Sequence, residues 1–129
     1  MTTPPVAVVA AVITWDGRYL VGRRPEHKRH GGLWEFPGGK VHDGEDHEAA
    51  VRRELAEELG LETLRVGALL RSESDPGSPF VIHFLEAEVE GTPHPTEHSE
   101  VGWFTPDEMA ALPMAPGDAR FVSRLRAEE

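Results

Sequence analysis

The stretch that decides the fold is residues 39–61, GKVHDGEDHEAAVRRELAEELGL. Within it Val51, Leu55 and Leu59 recur every four residues, a spacing that places them on one face of an α-helix. The helical spacing begins at Asp46, and Gly60 stands at the position where helices commonly end. The pattern therefore predicts one helix of about four turns.

Acidic side chains cluster on the same helix. Glu54, Glu57 and Glu58 stand at i, i+3 and i+4, so their carboxylates converge and repel one another unless a cation collects them. Oxygen ligands of this kind are what Mg²⁺ and Mn²⁺ prefer. The apolar stripe lies beside the acidic face, so we expect that these glutamates need not be buried. The alternative is an ordinary solvated helix face, in which Arg53 pairs with Glu57 four residues on.

The spacing of the whole stretch is more specific than the glutamates alone. Gly39, five residues, Glu45, seven residues and then RELAEELGL from Arg53 reproduce the signature of the Nudix superfamily. The preceding segment GLWEFPGGKV at 32–41 resembles the entry to this motif in the MutT-like branch of Nudix hydrolases, and residues 16–24 resemble the second strand of that branch. The resemblance implies an α/β (α+β) fold, a Nudix-type α/β/α sandwich with a mixed β-sheet and the Nudix loop-helix-loop. We expect residues 1–129 to form a single Nudix hydrolase domain.

The resemblance also implies roles for the residues of the motif. It implies a divalent metal cofactor, Mg²⁺ or Mn²⁺, bound by the three helix glutamates, while Arg53 orients them. It further implies that Glu45 supports the metal cluster and that the backbone carbonyl of Gly38 is a ligand. The expected metal set, with the additional glutamate discussed next, is Gly38, Glu45, Glu54, Glu57, Glu58 and Glu97.

MutT-like enzymes add one more carboxylate from a loop after the helix, a few residues ahead of a Trp. Glu97, six residues before Trp103, fits that place, and Glu100 is the rival. Either would complete an oxygen cage that one helix cannot close, and either could take the proton of an attacking water. Because the general base varies within this superfamily, the resemblance implies only that it is Glu54 or Glu97. The expected catalytic set is Arg53, Glu54, Glu57, Glu58 and Glu97.

Substrate-binding residues are expected around the motif. Cations between residues 18 and 40 lie beside it, and Arg23 and Lys40 are the candidate phosphate ligands. A solvated basic loop is the alternative interpretation. For the base, we expect stacking on Phe36 or Trp34. Residues 114–118 resemble the region where MutT-like proteins place an Asn or Asp that contacts the base, which implies an edge contact from Asp118; an N-cap of the last helix is the alternative role.

The resemblance implies hydrolysis of a nucleoside triphosphate, of the 8-oxo-dGTP/dGTP or the CTP/dCTP type, to the monophosphate and pyrophosphate. Two alternatives remain open. One is a Nudix hydrolase of another nucleoside diphosphate derivative, such as ADP-ribose or a dinucleoside polyphosphate. The other is a non-catalytic nucleotide-binding module of the same fold, because a fold does not by itself fix a function.

Composition limits the other function classes. The 129 residues carry a net charge of −10, the wrong sign for gripping long nucleic acid through its phosphates. No apolar run reaches the roughly 18 residues of a membrane helix. The chain has no cysteine, which excludes disulfides and thiolate chemistry and is compatible with the cytoplasm. We expect a small nucleotide as partner, no membrane, and surface positions for the histidines; the oligomeric state stays open.

Patterning outside the motif predicts strands on both sides of the helix. The apolar residues 6–14 and the segment 18–23 suggest a β-hairpin about a turn at 15–17. Residues 33–36 suggest a short strand followed by a tight turn at 37–39. Two antiparallel strands are expected at 64–71 and 80–88, a short strand at 101–104, a helical turn at 106–112 and a final amphipathic helix at 117–127.

Overall fold

The computed structural model describes residues 4–128. The chain forms strands and helices in the order β1 (Val6–Val12), β2 (Thr14–Trp15), β3 (Arg18–Arg23), β4 (Trp34–Glu35), β5 (Gly38–Lys40), α1 (His47–Leu59), β6 (Glu62–Ser74), β7 (Phe80–Glu90), β8 (Glu100–Phe104), α2 (Pro106–Ala110) and α3 (Pro116–Ala127). Among the helices of this part of the chain, none is both long enough and apolar enough to cross a lipid bilayer.

Within residues 4–128 the strands form two four-stranded sheets. The first has the order β5-β1-β7-β6, and the second has β3 at its centre, paired with β2, β4 and β8. The first sheet is mixed, because β1 runs parallel to β7 and antiparallel to β5. This confirms the predicted mixed α+β architecture.

The side chains of β1 alternate between the two faces of the first sheet, which explains why helices cover both faces. Val9 and Ala11 pack into one apolar cluster with Leu55 of α1, whereas Ala10 and Val12 pack into another with Phe121 of α3. Successive side chains of a strand point to opposite faces. The result is a helix–sheet–helix arrangement in which β5 and α1 meet at one edge.

Helix α1 confirms the sequence prediction. The Asp46 side chain accepts a hydrogen bond from the backbone N–H of Ala49 at 2.7 Å, which caps the first turn. Gly60 ends the helix in the left-handed conformation, with φ of 64°. The predicted strand pair β6 and β7 is also confirmed as antiparallel, and both strands are longer than expected.

Two local predictions were wrong. The apolar run 6–14 does not pair with residues 18–23 along its length; only β2 does, while β1 lies in the other sheet between β5 and β7. Gly38 and Gly39 form strand β5 rather than a tight turn. The reason is packing: an added Cβ on Gly38 would lie 1.9 Å from the carbonyl oxygen of Val9, so glycine lets the two strands pair this closely.

Candidate active site

Arg53 organises the acidic groups of α1 and the loop before it. Its Nε and Nη2 donate to the two carboxylate oxygens of Glu45 at 2.8 and 2.9 Å. Its Nη1 donates to Glu54 at 2.8 Å and to Glu57 at 3.2 Å, and Nη2 also reaches the carbonyl oxygen of Lys40 at 2.9 Å. Hydrogen bonding to Arg53 lowers the pKa of Glu45 to about 2. One guanidinium thus holds three carboxylates on one side of the helix.

Two of the helix glutamates are buried, contrary to our expectation that they need not be. Glu58 is 5% exposed and Glu54 is 9% exposed, whereas Glu57 is exposed. Burial, together with the neighbouring Glu54, Glu35 and Glu97, raises the pKa of Glu58 to about 9. Burial likewise raises the pKa of Glu54. Strand β5 covers this face of α1, which the helical periodicity could not reveal.

Strand β5 approaches the glutamates through its two glycines. The backbone N–H of Gly38 donates to Glu58 Oε2 at 3.0 Å. An added Cβ on Gly39 would lie 2.5 Å from Glu54 Oε1, so this position leaves space for the carboxylate. Gly38 and Gly39 therefore bring the backbone of β5 close to the acidic cluster, which consists of Glu54, Glu57 and Glu58.

The acidic cluster fits a divalent cation in donor chemistry and in charge. All of its side-chain donors are carboxylate oxygens, the class that Mg²⁺ and Mn²⁺ prefer. Two buried like charges need a counter-charge beyond Arg53. In the part of the chain that the structure describes, however, no three His, Asp or Glu side chains already surround one point as metal ligands. Arg53 donates to one oxygen of Glu54 and one oxygen of Glu57, so a cation bound here would share these carboxylates with Arg53.

The structure separates the two candidates for the additional carboxylate. Glu97 lies beside Glu54 and Glu58 and contributes to the raised pKa of both. Glu97 and Glu58 line a small cavity of about 80 Å³ together with Arg24, Lys28, Glu35 and His98. Glu100 instead receives a hydrogen bond from Arg23 at 3.3 Å. The metal and catalytic roles of Glu97 stay predictions, but its position is the appropriate one.

A larger cavity of about 690 Å³ adjoins the small one, because Arg24 and Glu35 line both. Its volume is within the range of small-molecule sites. Lys40 lines it, with Nζ 5.4 Å from the centre of the Phe80 ring, and Arg29 lies over the same ring at 6.0 Å. The cavity combines cations, one aromatic ring and, at the start of α3, the carboxyl group of Asp118.

Asp118 links the start of α3 to strand β4. Its Oδ2 accepts a hydrogen bond from the backbone N–H of Phe36 at 2.8 Å. The helix itself has Ala115 at the N-cap position and no side-chain cap, so the alternative that Asp118 caps α3 was wrong. Burial raises the pKa of Asp118 to about 7; the Phe36 hydrogen bond opposes this rise, and Glu35 adds to it.

Three residues that we predicted to contact the substrate do not line the large cavity. Phe36 is 3% exposed and its ring makes edge contacts with Tyr19, Phe84 and Phe121, so stacking of a base on this ring is contradicted. Trp34 is 8% exposed and packs against Phe104. Arg23 is held by Glu26 and Glu100 and is not among the cavity-lining residues. The neighbouring Arg24 is, so its contact with phosphate is the better prediction.

Sequence reasoning missed Glu35 and His98. The Glu35 carboxylate accepts from Arg24 Nη1 at 3.3 Å and lies 3.0 Å from His98 Nε2. The His98 side chain is 3% exposed, so the expectation of a surface histidine was wrong. The signal was weak because the two residues are 63 positions apart; only the adjacency of His98 to Glu97 pointed to this region.

Comparison with known proteins agrees with this geometry. A sequence model of the NUDIX domain matches residues 3–125. CTP pyrophosphohydrolase of Escherichia coli K12 is 40% identical over 125 residues, covering 95% of this chain and 92% of that protein. Putative 8-oxo-dGTP diphosphatase 2 of Mycobacterium tuberculosis H37Rv is 34% identical over 125 residues, covering 92% and 86%.

A solved structure supports the same assignment. The crystal structure of a MutT NUDIX hydrolase from Burkholderia pseudomallei superimposes with a TM-score of 0.82 at 31% identity, covering 95% of this chain and 99% of that one. Members of this family generally use divalent metal ions. The sequence motif, the fold and the acidic cluster on α1 agree with these matches, and the chain belongs to the Nudix family of hydrolases.

Proposed function

We propose that this chain hydrolyses a nucleoside triphosphate to the nucleoside monophosphate and pyrophosphate, with Mg²⁺ or Mn²⁺ as cofactor. The observation that carries the proposal is the adjacency of two cavities. The small one contains Glu58 and Glu97, and the large one, which shares Arg24 and Glu35 with it, contains Lys40 and Asp118. The first suits a metal-bound polyphosphate and the second suits a nucleoside.

The residues for the cofactor are Glu54, Glu57, Glu58 and Glu97, with the predicted support of Glu45 and of the Gly38 carbonyl. A divalent ion bound there neutralises charge on the phosphate oxygens and lowers the pKa of water. Gly38 holds Glu58 through its N–H, and Arg53 holds one oxygen of Glu54 and one of Glu57. These contacts fix the positions from which the carboxylates act.

The reaction needs one proton acceptor and one displacement. Glu54 or Glu97 takes the proton of the attacking water, whose oxygen forms a bond to phosphorus. The bond from that phosphorus to the oxygen that bridges the α and β phosphates breaks, and its electron pair leaves with that oxygen. Attack at the α or the β phosphorus yields the same two products.

The charged residues of the large cavity position the substrate. Lys40 and Arg24 are suited to the phosphate oxygens, since both line the large cavity. Arg24 also lines the small cavity, and the Lys40 carbonyl oxygen accepts a hydrogen bond from Arg53. Asp118 lines the same cavity, and its carboxyl group is the candidate for a contact with a base edge. The names of the two relatives, a CTP pyrophosphohydrolase and a putative 8-oxo-dGTP diphosphatase, support a triphosphate substrate and leave the base open.

The test is a nucleotide panel with Mg²⁺ and Mn²⁺: CTP, 5-methyl-dCTP, dGTP, 8-oxo-dGTP, ADP-ribose and a dinucleoside tetraphosphate. We expect one triphosphate to be cleaved with the highest kcat/KM. Its products, monophosphate and pyrophosphate, are identified by ³¹P NMR. Faster cleavage of ADP-ribose or of the dinucleoside tetraphosphate would show that the substrate is another nucleoside diphosphate derivative instead of a triphosphate. Nucleotide binding without any cleavage would instead indicate a binding module.

A further inference from the structure

Glu97 lies on a segment that has no helix or strand of its own. Residues 91–99, the Glu97 loop, connect β7 to β8 through bends and extended backbone, and the Glu97 side chain is exposed. Loops are generally more mobile than the elements that they connect. A carboxylate on such a loop has a defined position only if specific contacts hold the backbone on both sides of it, and the two neighbours of Glu97 make contacts of this kind.

On the N-terminal side of Glu97, Thr96 binds the end of helix α1. Its hydroxyl group donates to the carbonyl oxygen of Glu57 at 2.7 Å and is 3.1 Å from that of Glu58. Its backbone N–H also donates to the Glu58 carbonyl oxygen, at 2.9 Å. The last carbonyl groups of a helix have no donor within the helix, so Thr96 caps the turn of α1 that carries Glu57 and Glu58.

On the C-terminal side of Glu97, the loop is attached to the second sheet through His98. The Nε2 atom of His98 lies 3.0 Å from Glu35 Oε2 on β4, and the His98 side chain is 3% exposed. An added Cβ on Gly22 of β3 would lie 2.6 Å from His98 Cδ2, so glycine leaves the space that the imidazole ring occupies. The next residue, Ser99, donates its backbone N–H to the carbonyl oxygen of Arg23 at 2.9 Å.

The two attachments place Glu97 between α1 and the second sheet. Thr96 binds the same turn of α1 that carries Glu58, and His98 binds Glu35, which lines the small cavity together with Glu58 and Glu97. Glu97 is the residue between these two contacts, so its backbone is held from both directions. The movement left to its carboxylate is mainly rotation about the bonds of its own side chain.

We propose that Thr96 and His98 are positioning residues that hold the Glu97 carboxylate at the metal site formed with Glu54 and Glu58. Both act through Glu97, and neither belongs to the Nudix motif. The inference rests on the proposed function, because that function gives Glu97 its role in metal binding or in proton transfer.

A purely structural role of Thr96 gives a different expectation. Thr96→Val keeps the shape of the side chain and the backbone N–H but removes the hydroxyl donor, so Tm falls whether or not Glu97 is concerned. The two roles differ once Glu97 has been replaced by Gln. Loss of a positioning contact costs nothing further when the carboxylate is already gone, whereas loss of a structural contact costs the same in both backgrounds.

The experiment is a double-mutant cycle of Thr96→Val and Glu97→Gln with two readouts. Mn²⁺ binding is measured without nucleotide, from the electron paramagnetic resonance signal of the free ion, and kcat and KM are measured for CTP and 8-oxo-dGTP with Mg²⁺. We expect Thr96→Val to raise the Kd of Mn²⁺ about 10-fold and to lower kcat by about 10- to 100-fold, with KM within about 3-fold of wild type. In the Glu97→Gln background, Thr96→Val should change the Kd and kcat by less than about 2-fold.

Further variants separate the hydroxyl contact from general damage to the loop. Thr96→Ser keeps the hydroxyl group and should retain the wild-type Kd of Mn²⁺ and the wild-type kcat. Ser99→Ala is the matched control, because the Ser99 hydroxyl donates at 3.3 Å to the same Arg23 carbonyl oxygen that the Ser99 backbone N–H already binds, so neither value should change. If Thr96→Val does not fold, His98→Leu replaces it in the cycle, with His98→Gln as the variant that keeps a nitrogen for Glu35.

An equal effect of Thr96→Val in the two backgrounds, or no effect on either readout, would overturn the inference. A loss of kcat that depends on Glu97, with an unchanged Kd of Mn²⁺, would support the positioning role and assign Glu97 to the attacking water instead of the metal. Failure of the proposed function is visible separately. A wild-type protein that cleaves no nucleotide of the panel overturns the reaction, and the cycle in Mn²⁺ affinity then decides the role of Thr96 by itself.

Discussion

The backbone N–H of Gly38 donates to the Glu58 carboxylate at 3.0 Å and so connects strand β5 to helix α1. The contact exists because β5 pairs with β1 at a distance that only glycine permits, and also lies against the acidic face of α1. Gly38 meets backbone, since its added Cβ would lie 1.9 Å from the Val9 carbonyl oxygen. Gly39 meets a side chain, since its added Cβ would lie 2.5 Å from Glu54 Oε1.

Gly39→Ala should impair activity more than it impairs folding. The added methyl group displaces the Glu54 carboxylate, whose side chain can turn aside, so we expect kcat to fall at least 10-fold while Tm changes little. Steady-state kinetics at saturating Mg²⁺ and a thermal melt test this. Gly38→Ala is the contrasting variant, because the Val9 backbone cannot give way, and its Tm should fall markedly. Full activity in Gly39→Ala would show that activity does not require the Glu54 carboxylate to lie beside Gly39.

Glu58→Gln should abolish turnover and stabilise the protein when metal is chelated. Burial and the neighbouring carboxylates raise the pKa of Glu58 to about 9, so its charged form is unfavourable in the folded state at neutral pH. The neutral amide removes that penalty, and Tm should rise by roughly 4 °C for each kcal/mol relieved. The measurement is a melt in EDTA at pH 7.5, beside turnover with Mg²⁺.

Glu57→Gln is the control for this prediction. Glu57 is exposed, so its replacement should cost several decades of turnover through the metal site without raising Tm in EDTA. Near-normal activity of either variant at saturating Mg²⁺ would contradict the metal assignment. A fall in the Tm of Glu58→Gln would show that the buried carboxylate is stabilising by itself.

The local pattern of residues 39–61 predicted helix α1, its ends and its acidic face, because a helix obeys short-range spacing. It did not predict that Glu58 is buried, since the cover comes from β5, which pairs with β1. The hairpin predicted for residues 6–14 failed for a related reason: the apolar run supplies β1 to one sheet and β2 to the other, and pairing partners far along the chain decide between them.

The large cavity was the least predictable part of the candidate site. Asp118 was recognised by resemblance, whereas Phe80, Glu35 and Arg120 had no motif to mark them. Phe36 was expected to stack on a base because aromatic residues beside a motif are good candidates. Its ring instead fills the core, and only its backbone N–H reaches Asp118. Contacts of this kind depend on tertiary packing rather than on spacing.

Glu97→Gln should reduce kcat by about 100-fold or more, as expected for loss of a metal ligand or a general base. Glu100→Gln should leave kcat within a few-fold of wild type, because Glu100 pairs with Arg23 at the surface instead of facing Glu58. The two substitutions are chemically identical and three residues apart. The reverse order of activities would assign the additional carboxylate to Glu100.

Asp118→Asn should change how stability depends on pH. Burial raises the pKa of Asp118 from 3.8 to about 7, so the folded state favours the protonated carboxyl group. The charged groups that act on it are Glu35, which raises this pKa, and Arg24, which lowers it. Stability contributed by the protonated group is complete below about pH 4 and is lost as the pH rises to about 7.

An amide does not titrate, so the Tm of Asp118→Asn minus that of wild type should rise between about pH 4 and pH 7 and level off above it. Scanning calorimetry from pH 4 to pH 8 measures this difference, and the amide oxygen can still accept the Phe36 N–H. Asp107→Asn makes the same chemical change at an exposed position on α2 and is the control, because burial does not act there. A flat difference for Asp118→Asn would mean that the Asp118 carboxyl group ionises in the folded protein as it does in the unfolded chain.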